Sequence, residues 1–374
     1  MKLDPVTPPM RVLMTADTVG GVWTYAIDLA RALSHEGTDV ALATMGNPPS
    51  PQQRSDARSV AALGVFESSF RLPWMEEPWE DVRYTREWLL DLTSHIQPDI
   101  VHLNEPVYGS STFGVPTLVV GHSCVLSWWQ SVWNSPAPAE WKRYRKEMSL
   151  GFGSADAVIA PSRSMLLELQ RYYGVEHGFV ISNGRDGTHL TPGTKEEMVF
   201  AAGRVWDAAK NLMALDEVAQ GLDWPVYVAG EPQRPHGQVS VPARHMRMLG
   251  CLEAQDVAQW LARASIYAFP ARYEPFGLSV LEAALSGCAL VLSDVPALKE
   301  QWNGKAVFVG VDDPATLRLA IEALIDDPDL RQALAMRARR HALTLTPRHM
   351  ALAYTRVYSQ LLSRRQAQEQ ACAS

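Results

Sequence analysis

The chain has 374 residues, about two domains by size, and its 47% hydrophobic content is ample for two packed cores. A formal net charge of −7 and an isoelectric point near 5.8 give no support for nucleic-acid binding, and the one dense basic cluster, Lys142-Arg143-Tyr144-Arg145-Lys146, reads as a solvated helix face. Cys124, Cys251, Cys288 and Cys372 share no close spacing, so neither a metal knuckle nor a disulfide framework is suggested. Residues 1–9 are polar and Pro-rich without an apolar leader, and no apolar run approaches bilayer length, so a soluble, reduced, cytoplasmic protein is expected.

In chain order, residues 10–16 form an apolar first strand that runs into Asp17-Thr18-Val19-Gly20-Gly21-Val22-Trp23. A helix follows, with Tyr25, Ile27, Leu29, Ala30 and Leu33 at helical spacing. Gly20-Gly21 between strand and helix is a candidate loop for an anion or a sugar, although many such pairs only reverse the chain. Strands are expected at 39–44, 65–70, 99–103, 116–121, 157–160 and 179–182, and helices near 79–95, 139–152 and 162–173. Strict alternation of this kind implies a parallel, doubly wound sheet. Asn183-Gly184-Arg185-Asp186-Gly187, continuing to residue 197, is the polar break where a linker belongs. The pattern then restarts with strands at 198–202, 225–229, 266–269, 289–293 and 306–309, an extended segment at 246–252, and helices at 254–263, 314–326 and 329–343. An amphipathic helix at 348–362 is the last, and residues 363–374 read as a frayed tail.

The chemistry concentrates in Phe269-Pro270-Ala271-Arg272-Tyr273-Glu274-Pro275-Phe276-Gly277-Leu278-Ser279-Val280-Leu281-Glu282-Ala283-Ala284. A buried strand, a tight turn and a helix start are how an α/β fold offers backbone amides to an anion. Gly277 permits close approach, and the amides of Phe276, Gly277 and Leu278 are expected to point outward. Two carboxylates beside an anion site make sense if they accept hydrogen bonds from a ligand's hydroxyls. A phosphate on the amides and a polyol on the carboxylates describe a sugar nucleotide. Alone, two Glu at this spacing read more readily as an exposed turn residue and a helix-face residue paired with a nearby Arg or Lys.

Glu274 and Glu282, with seven residues between them that begin Pro-Phe-Gly-Leu, resemble the signature of retaining glycosyltransferases of the GT-B fold, family 4 in particular. The resemblance implies two Rossmann-like, doubly wound parallel-sheet domains facing a central cleft. Residues 1–190 would then be the acceptor-binding domain and 191–345 the nucleotide-sugar donor domain, with 346–365 packing back on the first. It further implies that Glu282 binds ribose hydroxyls, that Glu274 contacts the hexose or its anomeric side, and that Gly20-Gly21 reaches across toward the donor phosphates. Gly203-Arg204 and Lys210-Asn211 resemble the family's second motif, in which Arg and Lys bind the diphosphate, cations that lower the barrier to glycosyl–phosphate cleavage. By position, Cys251 and Leu252 fall where the family seats the base.

His122 follows a β-branched strand, where the family often has a His near the donor hexose; a lone His there is also commonly structural. Eight of the twelve Trp precede the linker; each singly reads first as packing, the group Trp128, Trp129 and Trp133 is a candidate for an aromatic acceptor platform as much as for packing, and Trp23 is kept as a further acceptor candidate. Related glycogen synthases carry a Lys two residues before the Gly pair, where this chain has Thr18, which weakens a glycogen assignment. No Asp-x-Asp lies beside either motif, the one in the chain being Asp327-Pro328-Asp329, so neither a metal nor another cofactor is called for. The expected donor is a UDP-, GDP- or ADP-hexose, the acceptor is open, and peripheral membrane contact is left open. The competing readings are an epimerase or hydrolase of nucleotide sugars on the same fold, and a non-catalytic sugar-nucleotide or glycan binder.

Overall fold

The computed structural model describes residues 9–230 and 243–373. All but one residue of the polar N-terminal stretch lies outside them. Seven parallel strands form the first sheet: β1 Met10–Asp17, β2 Thr38–Met45, β3 Leu63–Glu67, β4 Ile100–Leu103, β5 Thr117–Val120, β6 Ala157–Ala160 and β7 Phe179–Val180. Six form the second: β8 Glu196–Ala202, β9 Val226–Ala229, β10 Arg247–Gly250, β11 Ala264–Phe269, β12 Ala289–Ser293 and β13 Val307–Val309. Their spatial orders are β3-β2-β1-β4-β5-β6-β7 and β10-β9-β8-β11-β12-β13. Each order reverses once, between β1 and β4 and between β8 and β11. The crevice outside the carboxyl ends of the strands at such a reversal is where open α/β sheets take ligands.

Apolar clusters cover both faces of each sheet. That is why β4, β5, β6, β11 and β12 are buried at every residue instead of alternating. The helix Gly21–His35 lies between the first sheet and the returning C-terminal helix Pro347–Ala373, whose Met350, Tyr354, Tyr358 and Leu361 enter the same cluster as Tyr25, Leu29 and Leu33. Sandwiched in this way, it buries even Asp28.

Several local expectations are corrected. Residues 363–373 continue the last helix: Arg, Gln, Ala and Glu there are good helix formers, and Arg365 pairs with Glu369 one turn on. The strand expected at 65–70 is Leu63–Glu67. Lys210 ends a short 3-10 turn, Ala208–Lys210, and the α-helix begins only at Leu212. The helices Pro51–Arg58, Val125–Trp133 and Pro296–Trp302 escaped the sequence reading. The first carries a legible start, a Ser50/Gln53 capping box with Pro51 at its first position. The second is capped by the Cys124 thiol, which accepts from the Ser127 amide, so no Ser, Thr, Asp or Asn marks it. No helix among the described residues is long and apolar enough to cross a membrane.

Candidate active site

The loops after β1 and β5 in the first domain meet those after β8 and β11 in the second. After β8, Arg204 is held by Asp207, Nη2 to Oδ2 at 2.8 Å, and its side chain stays 41% exposed. Lys210 is 16% exposed and places Nζ 2.8 Å from Oε2 of Glu274, which is 13% exposed. The other oxygen of Glu274 accepts from the amides of Gly277 (2.9 Å) and Phe276 (3.4 Å). Two of the three amides expected to face outward, those of Phe276 and Gly277, are therefore turned onto Glu274 itself. Gly277, at φ +91°, makes that turn possible, and its backbone conformation strains any other residue. The carboxylate thus fills an anion nest made of two amides and a lysine, the same donors that would suit a phosphate oxygen.

Glu282 is also paired: Oε1 accepts from Arg185 Nε at 2.7 Å, and Arg185 Nη1 reaches Oδ2 of Asp28 at 2.8 Å. Both signature carboxylates are therefore ion-paired: Glu282 is paired on its helix as the plainer reading has it, whereas Glu274 is mostly buried and not the exposed turn residue of that reading.

The Gly20-Gly21 loop crosses to the second domain. A Cβ on Gly20 would stand 3.8 Å from Arg204 Nη1, and one on Gly21 would stand 3.2 Å from Leu278. Further contacts close the two domains on each other. Tyr273 Oη accepts from the Cys124 amide (2.9 Å), Ser162 Oγ donates to the Pro275 carbonyl (2.8 Å), and Trp128 Nε1 donates to Asp207 Oδ1 (3.2 Å). Glu300 accepts from the amides of Arg163 and Ser164 at the start of the helix Arg163–Tyr173.

His122 lies in the crevice with its protonation defined by neighbours. Asn104 donates Nδ2–H to the Thr15 carbonyl (2.6 Å), which leaves Asn104 Oδ1 as the acceptor facing His122 Nε2 at 2.7 Å. His122 must then carry its proton on Nε2, and burial pulls its pKa down to about 3. The ring is neutral and presents an Nδ1 lone pair. The edge of Tyr25 packs against it, centroids 4.5 Å apart, and Tyr25 in turn hydrogen-bonds His102, which is tied to Tyr358 of the C-terminal helix (2.6 Å).

Trp23, expected among the acceptor contacts, is a core residue instead and has no free face. Trp128 and Trp129 are half-buried and Trp133 is exposed, the three rings meeting edge to face. Cys251 and Leu252 follow β10, the first exposed and the second half-buried. Sequence reasoning missed Asp17, Glu105, Asp28, Arg185, Tyr273 and Asp207. Asp17 ends β1 and Glu105 follows β4, both at the first switch point. Burial raises both carboxyl pKa values, Glu105 well above the usual range with Asp17 adding to the effect, while the Val19 amide and the Arg204 charge pull Asp17 partly back. A carboxylate at the end of a buried strand is the signal that could have found them.

A model of Glycosyltransferase Family 4 matches residues 19–188, and one of Glycosyl transferases group 1 matches residues 196–327. The chain is a glycosyltransferase of the group 1/family 4 type. It is 26% identical to the D-inositol 3-phosphate glycosyltransferase of Jonesia denitrificans over 94% of this chain and 93% of that one. Sucrose-phosphate synthase from Thermosynechococcus elongatus superposes with a TM-score of 0.78 at 18% identity, covering 95% of this chain and 100% of that one. Anabaena Alr3699/HepE, solved in complex with UDP and glucose, gives 0.74 at 16% identity over 94% and 100%. The glycosyltransferase has the GT-B fold, and its two family matches part in the same 183–197 segment at which the sheets part.

Proposed function

We propose that this glycosyltransferase moves a hexosyl group from a nucleoside-diphosphate sugar to an acceptor hydroxyl with retention of anomeric configuration. One observation carries the reading: Lys210 of the β8 loop pairs with Glu274 of the signature turn, and the Gly20-Gly21 loop of the first domain lies against Arg204 of that same β8 loop and against Leu278, between the two signature carboxylates in sequence. The Anabaena neighbour holds UDP and glucose in its solved structure, which supports a donor of this class.

In this reading Arg204 and Lys210 receive the diphosphate. As the bond from the anomeric carbon to the phosphate oxygen breaks, negative charge gathers on the leaving group, and two fixed cations stabilise it without a metal. The acceptor oxygen attacks from the same face, and its proton passes to the departing phosphate oxygen. Donor binding would exchange Lys210 from Glu274 to phosphate, freeing that carboxylate for the hexose, where positive charge develops. Glu282 keeps one oxygen for the ribose. The neutral His122 offers its Nδ1 lone pair to a hexose hydroxyl, and the amide of Leu278 faces the donor. Cys251 and Leu252 border the base, and Trp128, Trp129 and Trp133 the acceptor.

The test is a thermal-shift panel of UDP-, GDP- and ADP-sugars followed by product analysis with and without acceptor. A ligand at 100 times its Kd stabilises by about 2.7 kcal/mol, easily read as a melting shift. The expected product keeps the donor's anomeric configuration and forms only with an acceptor. Epimerised or hydrolysed donor as the main product would turn the reading to an isomerase or a hydrolase. Binding without turnover across a broad acceptor set would turn it to a binder.

A further inference from the structure

The segment joining the two sheets carries a guanidinium that belongs to neither domain and is bound by both. Arg185 donates through Nε to Glu282 on the signature helix (2.7 Å) and through Nη1 to Asp28 on the helix Gly21–His35 (2.8 Å). All three side chains are largely buried, Asp28 almost completely. Asp28 also accepts from the Asp186 amide (3.3 Å) and from Arg31 (3.3 Å), so it organises the start of the segment as well. The second crossing between the domains runs alongside. The Arg185 amide donates to the Leu345 carbonyl (3.0 Å), and a Cβ on Gly184 would fall 2.3 Å from the Thr346 backbone, so only glycine lets the two crossings lie this close. Burial works against the charge of Arg185, but Glu282 and Asp28 outweigh it and hold its pKa above the ordinary value. The Arg remains a cation with its fork divided between two domains.

We infer that Arg185 is a positioning residue that couples donor binding to closure of the cleft: it presents Glu282 to the ribose diol only while Asp28 of the first domain is docked on its other side. The inference rests on the reading of Glu282 as the ribose ligand. One Glu282 oxygen is taken by Arg185, so the carboxylate is fixed in rotation and its second oxygen is set toward the nucleoside. If the domains swing apart at the paired crossings, Arg185 cannot stay with both carboxylates, and Glu282 loses the partner that orients it. The nucleoside would therefore be gripped tightly only in the closed form, in which the Gly20-Gly21 loop also lies against Arg204.

Titration calorimetry with UDP, GDP and ADP on the wild-type protein identifies the nucleotide. Donor kinetics then compare Arg185→Leu, Arg185→Lys, Asp28→Asn, Glu282→Gln and the Arg185→Leu/Glu282→Gln pair. Arg185→Leu should weaken the nucleotide and raise the donor KM by about tenfold, with kcat within about threefold. Asp28→Asn should shift both in the same direction by less. Arg185→Lys should fall between, because one ammonium cannot span both carboxylates. The double variant should be no weaker than Glu282→Gln alone, since both changes remove one interaction. Should Arg185→Leu fail to fold, Asp28→Asn and Arg185→Lys carry the test. Normal nucleotide affinity in folded Arg185 and Asp28 variants, or strictly additive losses in the double variant, would overturn the inference and leave the transferase reading standing. A wild-type protein that binds none of the three nucleotides would overturn both.

Discussion

The two walls of the cleft are built by different means. In the second domain the two signature carboxylates lie in one short stretch that partly satisfies itself, with Lys210 joining from 64 positions upstream and Arg185 from 97. Glu274 is capped by amides two and three residues on, Lys210 reaches it from the preceding β8 loop, and Glu282 rides the helix that the same turn starts. In the first domain the groups are held by a relay of contacts that runs through several elements. His122 depends on Asn104, Asn104 on Thr15, and Tyr25 links His122 to His102 and so to Tyr358, 256 positions after His102. A short local unit can be read as a motif and moved as one. A network spread over five segments can be read only once the chain has folded.

The largest effect should come from the second domain's wall. Lys210→Ala should lower kcat by about 10²-fold or more, because its charge acts on a diphosphate that grows more negative as the bond breaks. It also leaves the mostly buried Glu274 without its cation, about 3 kcal/mol of stability by analogy with broken buried pairs, so melting must be measured beside rate. Arg204→Ala should act in the same direction and less, since that side chain is more exposed and Asp207 already engages it. A loss from His122→Ala that exceeds the loss from Lys210→Ala would invert the comparison.

The two carboxylates sharpen it next. Glu274→Gln keeps an oxygen for the Gly277 amide, so the turn survives and only the charge is lost. It should lower kcat by about tenfold or more, with nucleotide affinity retained, since an anion beside the anomeric centre counts for more in the transition state. Glu282→Gln should instead raise donor KM more than it lowers kcat, because ribose contacts change little during reaction. Calorimetry with the nucleotide and steady-state kinetics on both variants separate the roles, and the reverse pattern would exchange them.

This division sets what could be read from the sequence. The strand–helix alternation, the break near residue 183 and the returning helix at 348–362 were legible, because buried parallel strands are continuous apolar runs. The Glu274 turn was legible because Pro275 and Gly277 punctuate it. Its internal capping was not: that Glu274, and no ligand, takes the Gly277 amide depends on a side-chain rotamer. Trp23 was misread because its helix is covered on two sides, a consequence of where the last helix lands. Asp28 stood in plain view among apolar helix positions, yet its meaning came only from Arg185, 157 residues away.

In the first wall, Asn104→Asp tests whether His122 works as a neutral acceptor. An aspartate keeps the Nε2–H bond but adds a negative charge, which favours the imidazolium and raises the His122 pKa from its present value of about 3. Protonation removes the Nδ1 lone pair. The variant should therefore lose kcat by roughly three- to tenfold on the acid side of its profile and recover at higher pH, where the wild type shows no such limb. A profile unchanged in shape would mean that the lone pair is not used.

The smallest effect concerns Glu105, where the fold works against a charge. Its carboxyl has a folded-state pKa well above the unfolded value, first because it is buried and then because Asp17 is near. A carboxyl of this kind binds its proton more tightly in the native state, so its contribution to stability is whole below the unfolded pKa of about 4.3 and is lost as pH rises toward the folded pKa. Glu105→Gln has nearly the same shape and never ionises. It should melt within a degree or so of the wild type at about pH 4 and some degrees higher at about pH 8, given about 1.4 kcal/mol for each tenfold difference in proton affinity between the two states and roughly 2–4 °C per kcal/mol for a domain of this size. Melting curves across that range decide it. A variant that is less stable than the wild type at about pH 8 would mean that the ionised Glu105 has a native partner, and that the first switch point stabilises a negative charge there as the second does at Glu274.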